Sequence, residues 1–244
     1  MEVKNHILYE NGQPVPYKQT PNIGSGTKDI RFILLHFDGA SNDTSAVNWL
    51  TQKASGVSAD LHITRAAKIT QMAPFNKITW HAGKSEWKGL ANLNKYAIGI
   101  EQENAGLVET GLGKARVYQD WTEVQIEKCI EVCKALVAAY PSITEILAHS
   151  EVAIPAGRKD DPGPKFPMER VREAVFGTTY PIYPKTKHTT SDLNIREDAG
   201  VNFKSLSVLS KGTEVNVLSE KNGWSEVFVC GQKLHGWCSS TYLK

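Results

Sequence analysis

Arg31-Phe32-Ile33-Leu34-Leu35-His36 decides how the rest of this chain is read. Four consecutive large apolar residues without alternation read as a short strand covered on both faces. The run stops abruptly in the polar His36-Phe37-Asp38-Gly39, and Glu145-Ile146-Leu147-Ala148-His149 repeats the pattern, a short apolar run ending in histidine. Ala59–Thr64, Lys68–Met72 and Ala97–Gln102 are further strand candidates. Asp43-Thr44 can cap a helix carrying Val47, Trp49 and Leu50. Val124, Ile126, Ile130, Leu136 and Val137 predict a long helix from about Thr122 to Tyr140 with these residues on one face. Pro167 opens a last helix and Gly177 closes it. Strands alternating with helices predict an α/β layer fold.

After Gly177 the composition changes. Residues 178–188 mix prolines, hydroxyls and charges without an apolar period and read as a linker. Beyond them come short β-type runs, Leu206–Leu209, Glu214–Leu218, Trp224–Val229 and Gly236–Cys238, with Lys211-Gly212 and Asn222-Gly223 at turn positions. The expected organisation is therefore residues 1–177 as one α/β domain, 178–189 as linker and 190–244 as a small all-β barrel.

The 244 residues, 41% hydrophobic and 22% charged, suit a globular protein with a substantial core. A formal net charge of +2 gives no electrostatic reason to expect a nucleic-acid partner. No apolar run approaches the roughly 20 residues of a membrane helix. Met1–His6 lacks the apolar core of a secretory signal, so the expectation is synthesis in the cytoplasm, with any wall substrate reached by another route. Cys129 and Cys133 share a helix face with Ile126 and Ile130 and read as buried packing residues. Cys230 and Cys238 fit neighbouring strands but have no zinc-knuckle spacing. Oligomeric state is not legible in the sequence.

Three positions carry chemistry by type and place. His36 and His149 each end a buried strand, and Asp161 lies in the turn-rich Gly157-Arg158-Lys159-Asp160-Asp161-Pro162-Gly163-Pro164. Two imidazoles and a carboxylate suit a catalytic zinc, which takes three protein ligands and keeps one position open. Residue type alone leaves the alternatives open: structural histidines, an ordinary surface loop, a strand-edge carboxylate at Glu101 and a solvated charge at Lys159.

Leu35-His36, Trp80-His81-Ala82-Gly83, Ile98-Gly99-Ile100-Glu101, Ala148-His149 and Gly157–Pro164, taken in order, resemble the zinc-dependent N-acetylmuramoyl-L-alanine amidases, which share the peptidoglycan-recognition fold. The resemblance covers roughly residues 28–176. It implies a mixed central sheet flanked by helices, one catalytic Zn2+ held by His36, His149 and Asp161, and catalysis by Glu101 and Lys159. It also implies substrate contacts from Trp80, His81 and Arg158, with the glycan strand and stem peptide of peptidoglycan as partner. Many relatives carry Ser-Ala-His where this chain has Ser58-Ala59-Asp60; His62, two residues on, either substitutes in part or is simply packed. His6, His188 and His235 have no motif context and are expected at the surface.

The C-terminal stretches Leu193-Asn194-Ile195-Arg196, Lys211–Val215, Gly223-Trp224 and Gly236–Leu243 resemble bacterial SH3-like wall-binding domains. Trp224, Trp237 and Tyr242 are expected to divide between its core and its groove. Together the two resemblances imply a wall amidase of the endolysin or autolysin kind. The alternatives are a cytoplasmic amidase that recycles anhydromuropeptides and a non-catalytic recognition module.

Overall fold

Phe32–Leu35 (β4) is buried at every position, as a continuous apolar run requires. At roughly 1.5–3 kcal/mol for each fully buried large apolar side chain, it anchors the first layer. A computed structural model of the chain describes residues 1–40, 43–110, 115–177, 185–229 and 234–244. An N-terminal meander, β1 (Glu2–Lys4), β2 (Ile7–Glu10) and β3 (Gln13–Pro14), precedes β4 and has no counterpart in the sequence reading. After β4 come helix α1 (Asp43–Leu50), β5 (Leu61–Ile63) and β6 (Ile69–Gln71). A small hairpin, β7 (Glu86–Trp87) and β8 (Leu90–Ala91), leads to β9 (Ala97–Gln102). A second hairpin, β10 (Leu107–Thr110) and β11 (Ala115–Tyr118), precedes helix α2 (Glu123–Ala139). Then follow β12 (Glu145–Ala148), a single helical turn α3 (His149–Val152) and α4 (Met168–Phe176).

The central sheet has the order β12-β4-β9-β5-β6. The pairs β12–β4, β4–β9 and β9–β5 are parallel and β5–β6 is antiparallel, so the sheet is mixed. Four parallel strands thus present their carboxyl ends on one side, where open α/β sheets bind ligands. Helix α2 covers one face with Ile126, Cys129, Ile130, Cys133 and Leu136 buried, and Thr122 caps it by accepting the Gln125 N–H. Val124, expected on that face, is 57% exposed. It lies two residues before Ile126, about 200° around the helix, so the two cannot share a face. The same spacing from Val47 turns Trp49 outward. His6 is partly buried, with its Nδ1 2.8 Å from the Tyr140 hydroxyl.

Residues 1–154 and 159–179 form one compact unit; residues 180–244, with 155–158, form the second. The second unit is a six-stranded sheet of β13 (Lys185–His188), β14 (Leu193–Arg196), β15 (Ser205–Leu209), β16 (Glu214–Lys221), β17 (Trp224–Val229) and β18 (His235–Ser239). Its order is β13-β16-β17-β18-β14-β15. Lys185–His188, read from sequence as linker, is therefore a strand: its backbone pairs with β16 where the side chains show no apolar pattern. Positive φ at both Asn222 and Gly223 makes the tight β16–β17 turn that the dipeptide predicts. The core here is aliphatic, built from Leu193, Ile195, Val215, Val217, Val227 and Val229 among others. Trp224, Trp237 and Tyr242 stay out of it, and Trp224 and Tyr242 line a groove of about 320 Å³ with Asp192, Asn194, Arg196 and Val201. Cys129, Cys133 and Cys238 are buried free thiols, and Cys230 lies outside the described residues.

Candidate metal centre

His36 follows β4, and its backbone N–H continues the sheet by donating to Ile100 O at 3.0 Å. His149 is the first residue of α3, immediately after β12 rather than its last residue. A buried bracket holds that strand-to-helix turn. The Arg172 guanidinium donates to Ile146 O at 2.8 Å and to Glu151 at 2.7 and 2.9 Å, and Glu151 accepts the Ala148 N–H at 2.7 Å. Asp161 is delivered by the loop, whose Asp161 carbonyl accepts the Ser150 N–H at 3.0 Å. The Tyr118 hydroxyl donates to Asp160 at 2.9 Å and braces the same loop.

These three elements bring His36 Nδ1, His149 Nδ1 and Asp161 Oδ2 together at mutual distances of 3.0, 2.9 and 2.9 Å. All three side chains are buried, and they form a group able to hold a metal ion. The outer hydrogen bonds decide what the inward atoms are. His149 Nε2 lies 3.1 Å from Ala82 O, a pure acceptor, so it carries the proton and Nδ1 is left as a lone pair. His81 Nε2 likewise donates to Ala97 O at 3.2 Å, which makes His81 Nδ1 an acceptor. His36 Nε2, 3.1 Å away, then donates to His81, and His36 Nδ1 also faces inward as a lone pair. Burial, with His149 close by, lowers the His36 pKa to about 4, so its ring is neutral near pH 7. Two imidazole lone pairs and a carboxylate oxygen converging on one point have no proton to share among them. A cation satisfies all three, and this donor set suits a borderline divalent metal.

His81, which the resemblance implies as a substrate contact, is buried beneath His36 with its Nδ1 3.1 Å from His36 Nε2. Asn94 Oδ1 pins its backbone by accepting the His81 and Ala82 N–H groups at 3.0 and 2.7 Å. Gly99 makes the room: a Cβ there would overlap the His81 ring. Gly99→Ala should therefore cost about 1–3 kcal/mol by overpacking, read as a lower midpoint in thermal or denaturant unfolding. Unchanged stability would mean that the ring has slack. Loss of an outer partner of a metal-binding histidine typically weakens metal affinity by about 10–100-fold. His81→Ala should show that loss for Zn2+ in competition with a chromophoric chelator, with the fold kept by circular dichroism.

Glu101 stands in β9, next to β4, with one carboxylate oxygen buried and without a partner among the described residues. Burial raises its pKa well above the usual carboxylate range; the charges of Asp161 and Asp38 add to the rise and Lys159 opposes it. Lys159 itself is exposed, and its charge is felt at both His36 and Glu101. Trp80 is 37% exposed, its N–H held by Ser58 Oγ at 2.8 Å. Arg158 belongs to the short turn Pro155–Arg158 grouped with the second unit.

Asp60 is no ligand. It is fully buried and takes Lys28 Nζ at 2.7 and 2.8 Å, Thr79 Oγ1 at 2.8 Å and the Gly99 N–H at 2.8 Å. Burial lowers the Lys28 pKa and raises that of Asp60, and their pairing opposes both shifts. His62, one strand across from Glu101, pairs through Nε2 with Asp38 at 2.8 Å. Lys28, Asn94 and Asp38 carry no signal in the sequence that marks them as supports of this site. Their roles arise from contacts across the sheet.

Residues 26–164 match a family model described as N-acetylmuramoyl-L-alanine amidase, and residues 191–244 match one described as bacterial SH3 domain. Over 153 residues the chain is 29% identical to N-acetylmuramoyl-L-alanine amidase AmiD of Escherichia coli (strain K12), covering 61% of this chain and 54% of that protein. Over 115 residues it is 36% identical to 1,6-anhydro-N-acetylmuramyl-L-alanine amidase AmpD of Enterobacter cloacae, covering 47% of this chain and 54% of that one. The chain thus spans about half the length of these curated relatives. A solved complex of AmiD from E. coli with anhydro-N-acetylmuramic acid-L-Ala-D-gamma-Glu-L-Lys is similar in structure. Its TM-score is 0.56 at 26% identity, over 75% of this chain and 69% of that chain. Among the described residues no helix is long and apolar enough to cross a membrane.

Proposed function

The chain belongs to the N-acetylmuramoyl-L-alanine amidase family, and we propose that it hydrolyses the amide between the lactyl group of N-acetylmuramic acid and L-alanine of the peptidoglycan stem peptide. The observation that carries this reading is the buried convergence of His36 Nδ1, His149 Nδ1 and Asp161 Oδ2, with an unpaired Glu101 oxygen on the neighbouring strand.

His36, His149 and Asp161 would hold one zinc ion. Ligands about 2.0 Å from a tetrahedral zinc lie roughly 3.3 Å apart, close to the separations found between these atoms. Zinc bound there supplies Lewis acidity, polarising a carbonyl and making water nucleophilic near neutral pH. The chain's own residues do the rest. The Glu101 carboxylate takes a proton from the attacking water, and as the C–N bond breaks it returns that proton to the alanine nitrogen. The products are a free lactyl carboxyl and a free alanine amine. The Lys159 ammonium offsets the negative charge that develops on the lactyl oxygen. Trp80 offers an exposed aromatic face to the sugar or the stem peptide, and Arg158 a cationic contact.

Division of labour follows the sequence: residues 1–177 catalyse and residues 190–244 bind wall. The Trp224–Tyr242 groove, with Asp192 and Arg196 on its walls, suits a peptide that carries both signs of charge. The test is incubation of the zinc-loaded chain with purified peptidoglycan, and separately with a soluble anhydromuropeptide, while following new N-terminal alanine. Alanine from intact wall supports the wall amidase. Alanine from the soluble fragment alone favours a recycling enzyme, and none from either leaves a recognition module.

A further inference from the structure

Asp38 and His62 are buried beside the site, and the mechanism above does not use them. The Asp38 carboxylate is fixed in place: Oδ1 accepts the Ala40 and Asn104 N–H groups at 2.9 and 3.2 Å, and Oδ2 faces His62 Nε2 at 2.8 Å. An ionised carboxylate only accepts, so His62 Nε2 carries a proton and the ring is held in one orientation. The other ring nitrogen, Nδ1, is buried and has no partner among the described residues. Glu101 Oε2 is in the same condition. These two orphans belong to residues paired in register between the parallel strands β5 and β9. Register partners on neighbouring strands point to the same face, with backbones about 4.8 Å apart. The two are not hydrogen-bonded to each other as they stand, and burying a polar atom without a partner is destabilising, so one proton shared between them would relieve both penalties at once.

The geometry points to His62 as a positioning residue for Glu101: clamped by Asp38 through Nε2, it holds the buried Glu101 oxygen through Nδ1 and leaves the other oxygen for water and the leaving amine. The inference rests on Glu101 being the base proposed above. With Glu101 acting as carboxylate the proton sits on Nδ1, so the ring is then an imidazolium between the Asp38 and Glu101 carboxylates and adds one positive charge to the site. The charged and titratable groups around Glu101 are Asp38 after β4, Asp161 and Lys159 in the loop, and His62 on β5. Of these only His62 is a register partner on an adjacent strand with an unused hydrogen-bonding atom. In a site where burial and two carboxylates disfavour ionised Glu101, a donor at its back keeps the base competent.

Two substitutions separate positioning from packing. Glutamine keeps a donor in reach of Asp38 but removes the Nδ1 atom; asparagine keeps a polar atom near Nδ1 but abandons Asp38. With zinc-loaded protein, His62→Gln should lower kcat about tenfold with KM little changed. It should also move the acid limb of the kcat profile to higher pH, and His62→Asn should restore much of both. An independent readout is 15N-histidine NMR of the substrate-free protein, in which the His62 Nδ1 resonance should show a shared proton that Glu101→Gln abolishes. Wild-type kcat and acid limb in His62→Gln, with Glu101→Gln inactive, would overturn the His62 role and leave the Glu101 base standing. Full activity of Glu101→Gln would remove the base itself and this inference with it.

Discussion

His149→Ala is expected to end release of N-terminal alanine from peptidoglycan and to strip the protein of tightly held zinc. The loss should exceed the roughly hundredfold upper range typical for outer partners of a metal ligand, because a ligand itself is gone. His36 Nδ1 and Asp161 Oδ2 would remain as two donors 2.9 Å apart, one short of the three protein ligands of a catalytic zinc. The fold should persist. His149 contributes one outer hydrogen bond, to Ala82 O, worth about 1 kcal/mol, whereas the turn beneath it is held by Arg172 and Glu151. Zinc content by atomic emission, a far-ultraviolet spectrum and the alanine assay therefore read three separate things. A folded, zinc-free, inactive variant is the expected result. A folded variant that still releases alanine at the wild-type rate would sink the metal-centre reading, whatever its zinc content.

Glu101→Gln should retain zinc and lose about 10²–10⁴ in kcat, the usual contribution of a positioned proton-transfer group. Glutamine has the same shape, and among the described residues Glu101 makes no hydrogen bond to any of the three metal-holding atoms, so the metal site has no reason to fail. The pH dependence carries a sign. The base works as carboxylate, and burial with Asp161 and Asp38 nearby holds its pKa well above the ordinary value of about 4.3. Activity should therefore rise with pH through a limb displaced upward from the usual carboxylate range, and that limb should vanish in Glu101→Gln. Near-wild-type turnover in the variant would assign the proton transfer to another group.

Most of the α/β fold was legible because local pattern and tertiary environment agree. The apolar runs ending at Leu35 and Ala148 are buried on both sides, as runs without alternation must be, and β9 and β17 span the predicted residues. What escaped prediction lacks a local pattern. The meander β1–β3 and the hairpins β7–β8 and β10–β11 are short strands held by backbone pairing, which leaves no long apolar period in the sequence. β13 was hidden for the same reason, since backbone pairing to β16 needs no particular side chain.

The sequence by itself determined which residue types end the buried strands, where the loop with Asp161 falls and, through its ordered motifs, the family. Only the tertiary structure decided what those side chains do to one another. It turned the His36 and His149 lone pairs inward by giving their other nitrogens to His81 and Ala82 O, set His81 against His36, and matched Asp60 with Lys28. It also stood His62 beside Glu101 with a free atom on each. The reason is physical: burial and periodicity are local consequences of a side chain's polarity, whereas the proton on a ring nitrogen is set by an acceptor that can lie anywhere in the chain.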